Sequence, residues 1–128
     1  MKILIDTHVL LWLLEDAPQL SSHAKEAFSD PDVKVYFSAA SYWEICIKQS
    51  IGKLELAAGW EAIISRELKR NHIQWLTIEP EHMQGILTLP WHHRDPFDRL
   101  LIAQAIQESM SVITADKQIV KYDVPIIW

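Results

Sequence analysis

Apolar residues at the start of the chain fall in two blocks separated by a short polar step. Ile3, Leu4 and Ile5 form a continuous run, Asp6-Thr7-His8 interrupts it, and Val9 to Leu14 resumes it. A short unbroken apolar run is the pattern of a strand buried on both faces of a parallel sheet, here closed by Asp6. Leu10, Leu11 and Leu14 then repeat at helical spacing, so residues 7 to 15 read as a helix opening directly off that strand, broken by Asp16-Ala-Pro-Gln. Ser21 is placed to cap a second helix through Phe28, Asp30-Pro-Asp is a turn, and Val33 to Phe37 is a second strand with Ser38 as its polar exit.

The alternation continues. From Ala39 to about Ser50 a helix carries Trp43, Glu44, Cys46 and Ile47, and Gly52 suits its stop. Lys53 to Leu56 is too short to assign. Trp60, Ile63, Ile64 and Leu68 share one stripe of a helix from about Ala58 to Arg70. Gln74 to Ile78 is a third strand, and Pro80 opens a short helix through Leu87. Asp95-Pro96-Phe97-Asp98 opens the clearest helix, running to about Ser109. Ser111 to Thr114 is a fourth strand, Asp116 to Lys121 a short helix, and Val124 to Ile127 a last strand. Strands alternating with helices imply right-handed crossovers and a parallel sheet covered on both faces, a three-layer α/β domain.

Composition narrows the class. A chain of 128 residues, 49% apolar and with only three glycines, reads as one ordered domain. The single Cys46 cannot close an internal disulfide, and its place on the helix with Trp43 and Ile47 predicts a buried, reduced thiol, which suits a cytoplasmic protein. No apolar run approaches the roughly 20 residues that span a bilayer, and Asp6 and His8 interrupt any signal-peptide core. The net charge of −5 argues against long-range attraction to nucleic acid, yet acids gathered in one site with divalent cations would cancel much of it locally.

Four acids are placed to converge. Asp6 ends the first strand, at the carboxyl edge where open α/β sheets bind ligands, although capping the next helix is a compatible role. Glu44 fits a capping box with Ser41 and an ion pair with Lys48. Against the capping box, Ser38 would cap the helix sooner and leave Glu44 in its second turn. At Asp95-Pro96, Asp95 reads as the helix cap. Asp98 lies one turn in, on the stripe of Leu101, Ile102 and Ala105, where a carboxylate is costly unless paired or bound to a metal. Its other reading is an ion pair with Arg94 or Arg99. Asp116 repeats the order of strand then acid seen at Asp6, with helix capping as its alternative, and Thr114 could add a hydroxyl ligand or a cap.

Two carboxylates about 4 Å apart repel by roughly 4 kcal/mol at an effective dielectric near 20, so four together demand a cation. All-oxygen ligands select a hard one such as Mg²⁺ or Mn²⁺, and such sites favour phosphoryl-transfer chemistry. Other classes drop out: there is no HxxxH or HExxH, no second cysteine for zinc, no GxSxG elbow and no glycine-rich phosphate loop. A haloacid-dehalogenase-like phosphatase would need a second acid where His8 stands.

The segments Ile-Leu-Ile-Asp6-Thr-His, Ser38-Ala-Ala-Ser-Tyr-Trp-Glu44-Ile, Asp95-Pro-Phe-Asp98-Arg-Leu-Leu-Ile-Ala-Gln-Ala and Ile113-Thr-Ala-Asp116 together resemble the PIN domain, and more narrowly the VapC-type toxins of type II toxin–antitoxin pairs. The resemblance spans almost the whole chain, so residues 1–128 read as a single PIN domain. It implies a five-stranded parallel sheet of order 3-2-1-4-5, flanked by helices, with an acidic pocket at its carboxyl edge. It implies further that Asp6, Glu44, Asp98 and Asp116 bind Mg²⁺ or Mn²⁺ and cut RNA, with Asp6, Asp98 and Asp116 holding the metal and Glu44 completing the cluster. Homodimers are implied too, as is an antitoxin partner whose C-terminal segment covers the pocket. Asp95 is an acid beyond that quartet. Lys48, Lys53, Arg94 and Arg99 are candidates for phosphate contacts. The alternative is a catalytically silent module that binds RNA or protein through the same surface.

Overall fold

The structure is a computed structural model and describes all of residues 1–128. Strands β1 (Lys2–Ile5), β2 (Lys34–Ser38), β3 (Gln74–Leu76), β4 (Ser111–Ile113) and β5 (Ile126–Ile127) pair in parallel in the order β3-β2-β1-β4-β5. Around the sheet lie α1 (Thr7–Leu14), α2 (Ser22–Ser29), α3 (Ala39–Ser50), α4 (Trp60–Arg70), α5 (Pro80–Gly85) and α6 (Pro96–Gln107). The expected three-layer α/β architecture and its 3-2-1-4-5 order are what is found.

The central strand explains the two cores. Ile3, Leu4 and Ile5 are wholly buried, and because side chains alternate along a strand they divide between opposite faces. Ile3 and Ile5 pack with Val9, Leu10, Phe37, Ile45 and Ile64 on one face. Leu4 packs with Leu101, Ile102, Val112 and Ile119 on the other. A strand covered on both sides has no polar face to show, which is why its sequence is an unbroken apolar run.

Local chemistry sets the helix ends. Ser21 accepts the Ala24 amide at 3.2 Å, Ser38 the Ala40 amide at 3.0 Å, and Asp95 the Phe97 and Asp98 amides at 2.9 and 3.1 Å. Gly52 takes the left-handed conformation (φ 73°) after α3. There the Gly52 amide donates to Gln49 O and the Lys53 amide to Lys48 O, closing the helix with paired carbonyls.

Several elements are shorter than the sequence predicts. β3 stops at Leu76 because its only partner, β2, turns into α3 after Ser38, leaving Thr77 and Ile78 no ladder. β5 begins at Ile126, since Pro125 has no N–H, although its carbonyl still accepts the Val112 amide at 2.8 Å. In place of the helix expected over 116–121 there is a 3-10 turn at Ile119–Lys121. Asp116 Oδ1 accepts the Gln118 amide at 2.8 Å, a local bond that competes with helix formation. Cys46 is exposed rather than buried. The inward side of α3 is Ala40, Ser41, Glu44 and Ile45, so Trp43 and Cys46 face outward despite their apolar character.

Between α6 and the sheet lies a buried polar link. Gln104, wholly buried, accepts from Ser38 Oγ through its Oε1 and donates from Nε2 to Thr77 O at 3.2 Å. Replacing it by a residue of similar volume strands those partners, and a stranded buried polar group costs about 1–3 kcal/mol. Gln104→Leu is therefore expected to lower the unfolding free energy by about 2 kcal/mol in urea titration. An unchanged midpoint and slope would show that the link carries no stability.

Candidate active site

The site is built where β1, β4, α3 and α6 meet at the carboxyl edge of the sheet. The β1–β4 ladder extends one step beyond β1, the Asp6 amide donating to Ile113 O at 3.0 Å, so Asp6 is fixed in backbone as well as side chain. Asp6 is only 3% exposed. Thr114, the residue after β4, donates from Oγ1 to Asp6 Oδ2 at 2.8 Å and accepts the Asp116 amide at 2.9 Å. One hydroxyl thus ties the acid at the end of β1 to the acid beyond β4.

Glu44 sits in the second turn of α3 and is buried. Thr7 Oγ1 donates to its Oε1 at 2.7 Å, and Lys48, one turn further along α3, forms an ion pair with its Oε2. Both carboxylate oxygens are therefore engaged by this chain. The ion pair expected with Lys48 is present, and the capping box with Ser41 is not, because α3 starts at Ala39 and leaves Glu44 inside it.

Asp98 stands in the first turn of α6, which Asp95 caps. Its partner is neither Arg94 nor Arg99. His93 Nε2 lies 3.0 Å from Asp98 Oδ2, and His93 Nδ1 lies 2.8 Å from the Tyr122 hydroxyl. Arg99 is buried elsewhere, donating to Pro90 O at 2.7 Å and to the Tyr122 hydroxyl at 3.0 Å, with its guanidinium 3.9 Å from the centroid of the Trp91 ring. It is a structural residue and does not meet the expectation of a phosphate contact.

Electrostatics show which acids share a neighbourhood. Burial, followed by the carboxylates of Asp95, Asp6, Asp116 and Glu44, pushes the Asp98 carboxyl up to about 8. Burial also raises the Asp6 carboxyl, against the lowering effect of the Thr114 hydrogen bond, with Glu44 adding to the rise. Burial by itself would lower the Lys48 ammonium, but the bond and charge of Glu44, with Asp95 and Asp98 behind it, raise it overall. Asp6, Glu44 and Asp116 thus all act on Asp98, as does Asp95, and Glu44 acts on Asp6 as well. As placed, no three His, Cys, Asp or Glu side chains stand close enough to share one metal ion.

Beside Glu44 opens a cavity of about 240 Å³ lined by Thr7, His8, Leu11, Glu44, Lys48 and Lys53, among others. Two of the four basic residues singled out in the sequence, Lys48 and Lys53, therefore share this cavity with Glu44. Thr7 and His93 were not singled out. Thr7 had a signal, a hydroxyl directly after Asp6 at the first turn of a helix. His93 had none, since it lies in a loop where no periodicity constrains the direction of a side chain.

Comparison with known proteins agrees with this architecture. The PIN domain family matches residues 3–125. Ribonuclease VapC22 of Mycobacterium tuberculosis is 25% identical over 118 residues, which cover 91% of this chain and 88% of that protein. Among solved structures, VapBC2 from Rickettsia felis bound to a DNA fragment from its promoter aligns with a TM-score of 0.75 at 10% identity, over 98% of this chain and 97% of that one. VapBC-1 from nontypeable Haemophilus influenzae aligns with a TM-score of 0.67 at 18% identity, over 98% and 96%. With nearly its whole length matched, and with the strand order and acidic carboxyl edge described above, the chain belongs to the PIN domain family.

Proposed function

We propose that this protein is a metal-dependent endoribonuclease acting as the toxin of a toxin–antitoxin pair. The observation that carries the reading is the gathering of Asp6, Glu44, Asp98 and Asp116 at the carboxyl edge of the sheet, where burial, joined by the neighbouring carboxylates, pushes the Asp98 carboxyl up to about 8. The family and the name of the relative Ribonuclease VapC22 support RNA as substrate, and the VapBC complexes among the structural relatives support an antitoxin partner. A homodimer and a cytoplasmic setting belong to the same proposal. No helix is long and apolar enough to cross a membrane.

The residues fit a divalent cation. Their donors are all oxygen, which suits Mg²⁺ or Mn²⁺, and a dication would replace the proton that the crowded Asp98 carboxyl otherwise retains. Mg²⁺ characteristically keeps several waters and binds through one or two carboxylates, so three side chains need not meet at one point. Asp6, Asp98 and Asp116 would hold the ion. When bound, it would supply polarisation of the phosphodiester and an activated water at neutral pH.

The chain's own groups do the rest. Asp6 is anchored by Thr114, and Asp98 by His93, so neither has to be ordered when substrate arrives. Glu44, held between Thr7 and Lys48, would orient the attacking water. Lys48 and Lys53 put positive charge on the cavity wall beside Glu44, where it could meet an RNA phosphate.

A second reading, a catalytically silent module that binds RNA or protein, draws on the absence of any three potential ligands close enough to share an ion. Cleavage separates the two. Purified protein, freed of any antitoxin, is expected to cut total cellular RNA into discrete fragments with Mg²⁺ or Mn²⁺ and not with EDTA. Asp6→Asn should abolish cutting without unfolding the protein, because an amide oxygen can still accept from Thr114. Cleavage that persists in EDTA or in Asp6→Asn contradicts the nuclease site, and no cleavage with any metal favours the silent module.

The same crowding gives the metal-free protein a pH signature. In the unfolded chain an aspartate titrates near 4, whereas folded Asp98 titrates near 8, so between those values the folded state holds a proton that the unfolded state has lost. Stability from this group is full below about 4 and declines as pH rises towards about 8. In EDTA, wild-type protein should lose more thermal stability between pH 5.5 and 8.5 than Asp98→Asn does. Equal losses would mean that Asp98 is not crowded as described.

A further inference from the structure

We infer that His93 is a positioning residue for Asp98, its ring fixed in a single tautomer by a relay that begins at the buried guanidinium of Arg99. The role in the reaction rests on the nuclease reading above; the relay itself rests on geometry alone. The Tyr122 hydroxyl is the pivot. Its oxygen lies 3.0 Å from Arg99 Nη1 and 3.3 Å from the His93 backbone amide, and both of those groups can only donate. The phenol proton is then left to donate, and the remaining partner in reach is His93 Nδ1 at 2.8 Å. Nδ1 must accept, so in the neutral ring the proton sits on Nε2, which donates to Asp98 Oδ2 at 3.0 Å. A doubly protonated ring would direct three donors at one phenol oxygen and leave the phenol proton without an acceptor.

The surroundings make this arrangement rigid. Tyr122 is 4% exposed and Arg99 2%. Arg99 is held independently of Tyr122 by Pro90 O at 2.7 Å and by the Trp91 ring. The His93 and Tyr122 rings also meet edge to face, with centroids 5.4 Å apart and an interplanar angle of 65°. Charge at Arg99 therefore reaches Asp98 through two oriented hydrogen-bond donors rather than through a direct ion pair. A direct pair would cover the carboxylate with a cation and compete with a metal. A neutral imidazole N–H fixes one oxygen and adds no cation beside the carboxyl. Outer partners of this kind typically govern metal affinity or activity by about ten- to a hundred-fold.

Two readouts test the inference on the full-length chain. The first is ¹⁵N NMR of histidine-labelled, metal-free protein, which is expected to show His93 as the Nε2–H tautomer, changing to a mixture of tautomers in Tyr122→Phe. An Nδ1–H tautomer, or a wild-type spectrum in the Tyr122→Phe variant, overturns the relay. The second is Mn²⁺ binding by titration calorimetry. His93→Leu should weaken it about ten- to a hundred-fold, and His93→Gln, which can present an N–H from a similar distance, should recover most of the loss. Unchanged Mn²⁺ affinity in a folded His93→Leu, or failure of His93→Gln to recover it, overturns the positioning role. Wild-type protein that binds no Mn²⁺ would instead count against the metal site, and the tautomer would then decide the relay by itself.

Discussion

Repulsion among carboxylates at one end of a parallel sheet is the constraint on which the rest of this structure turns. Asp6 is carried there by the most buried strand in the protein, Asp98 by the helix packed across it, and Glu44 and Asp116 by the elements on either side. Burial weakens the screening that water would provide, so each negative charge raises the proton affinity of the next. Asp98 shows the result most clearly, since burial and four other carboxylates all act on it in one direction.

Much of the neighbouring chemistry answers that repulsion without removing the acids. Thr114 and Thr7 each spend a hydroxyl proton on a carboxylate. Lys48 neutralises Glu44 on the outer side, bordering a cavity where its charge and that of Lys53 meet solvent. Arg99, adjacent to Asp98 in sequence, is turned away from it and buried against Trp91 and Tyr122. That diversion keeps the centre negative. A site that neutralised every acid internally would be more stable alone and would have little affinity for a cation. On the reading proposed above, such an arrangement would trade stability of the metal-free protein for carboxylates held at a fixed place for a cation.

How much of this could be read from the chain differs from residue to residue. Ile3 to Ile5 announced a doubly covered strand because burial on both faces forbids any polar position in it. Ser21, Ser38, Gly52 and Asp95 announced helix ends because caps are local chemistry, decided within a few residues. The failures lie where the deciding partner is distant. Cys46 looked inward by character, yet the orientation of α3 is set by what packs on Ala40, Ser41, Glu44 and Ile45. Arg99 looked like a surface cation until Pro90, Trp91 and Tyr122 folded over it. The helix expected at Asp116 lost to a side-chain bond two residues on. His93 was silent altogether, since only tertiary contact brings Tyr122, 29 positions away, against its ring. The four acids themselves were legible as a pattern of strand or helix ends, while their mutual influence is a property of the folded molecule.

If these carboxylates form one cation site, Mn²⁺ should settle among them. Crystals of the protein grown without metal and then soaked in Mn²⁺ would test it most directly by anomalous diffraction. An anomalous peak is expected within about 2.2 Å of carboxylate oxygens of Asp6 and Asp98, with waters completing the shell. A peak only at other carboxylates, or none at saturating Mn²⁺ in crystals whose site faces open solvent, would contradict it.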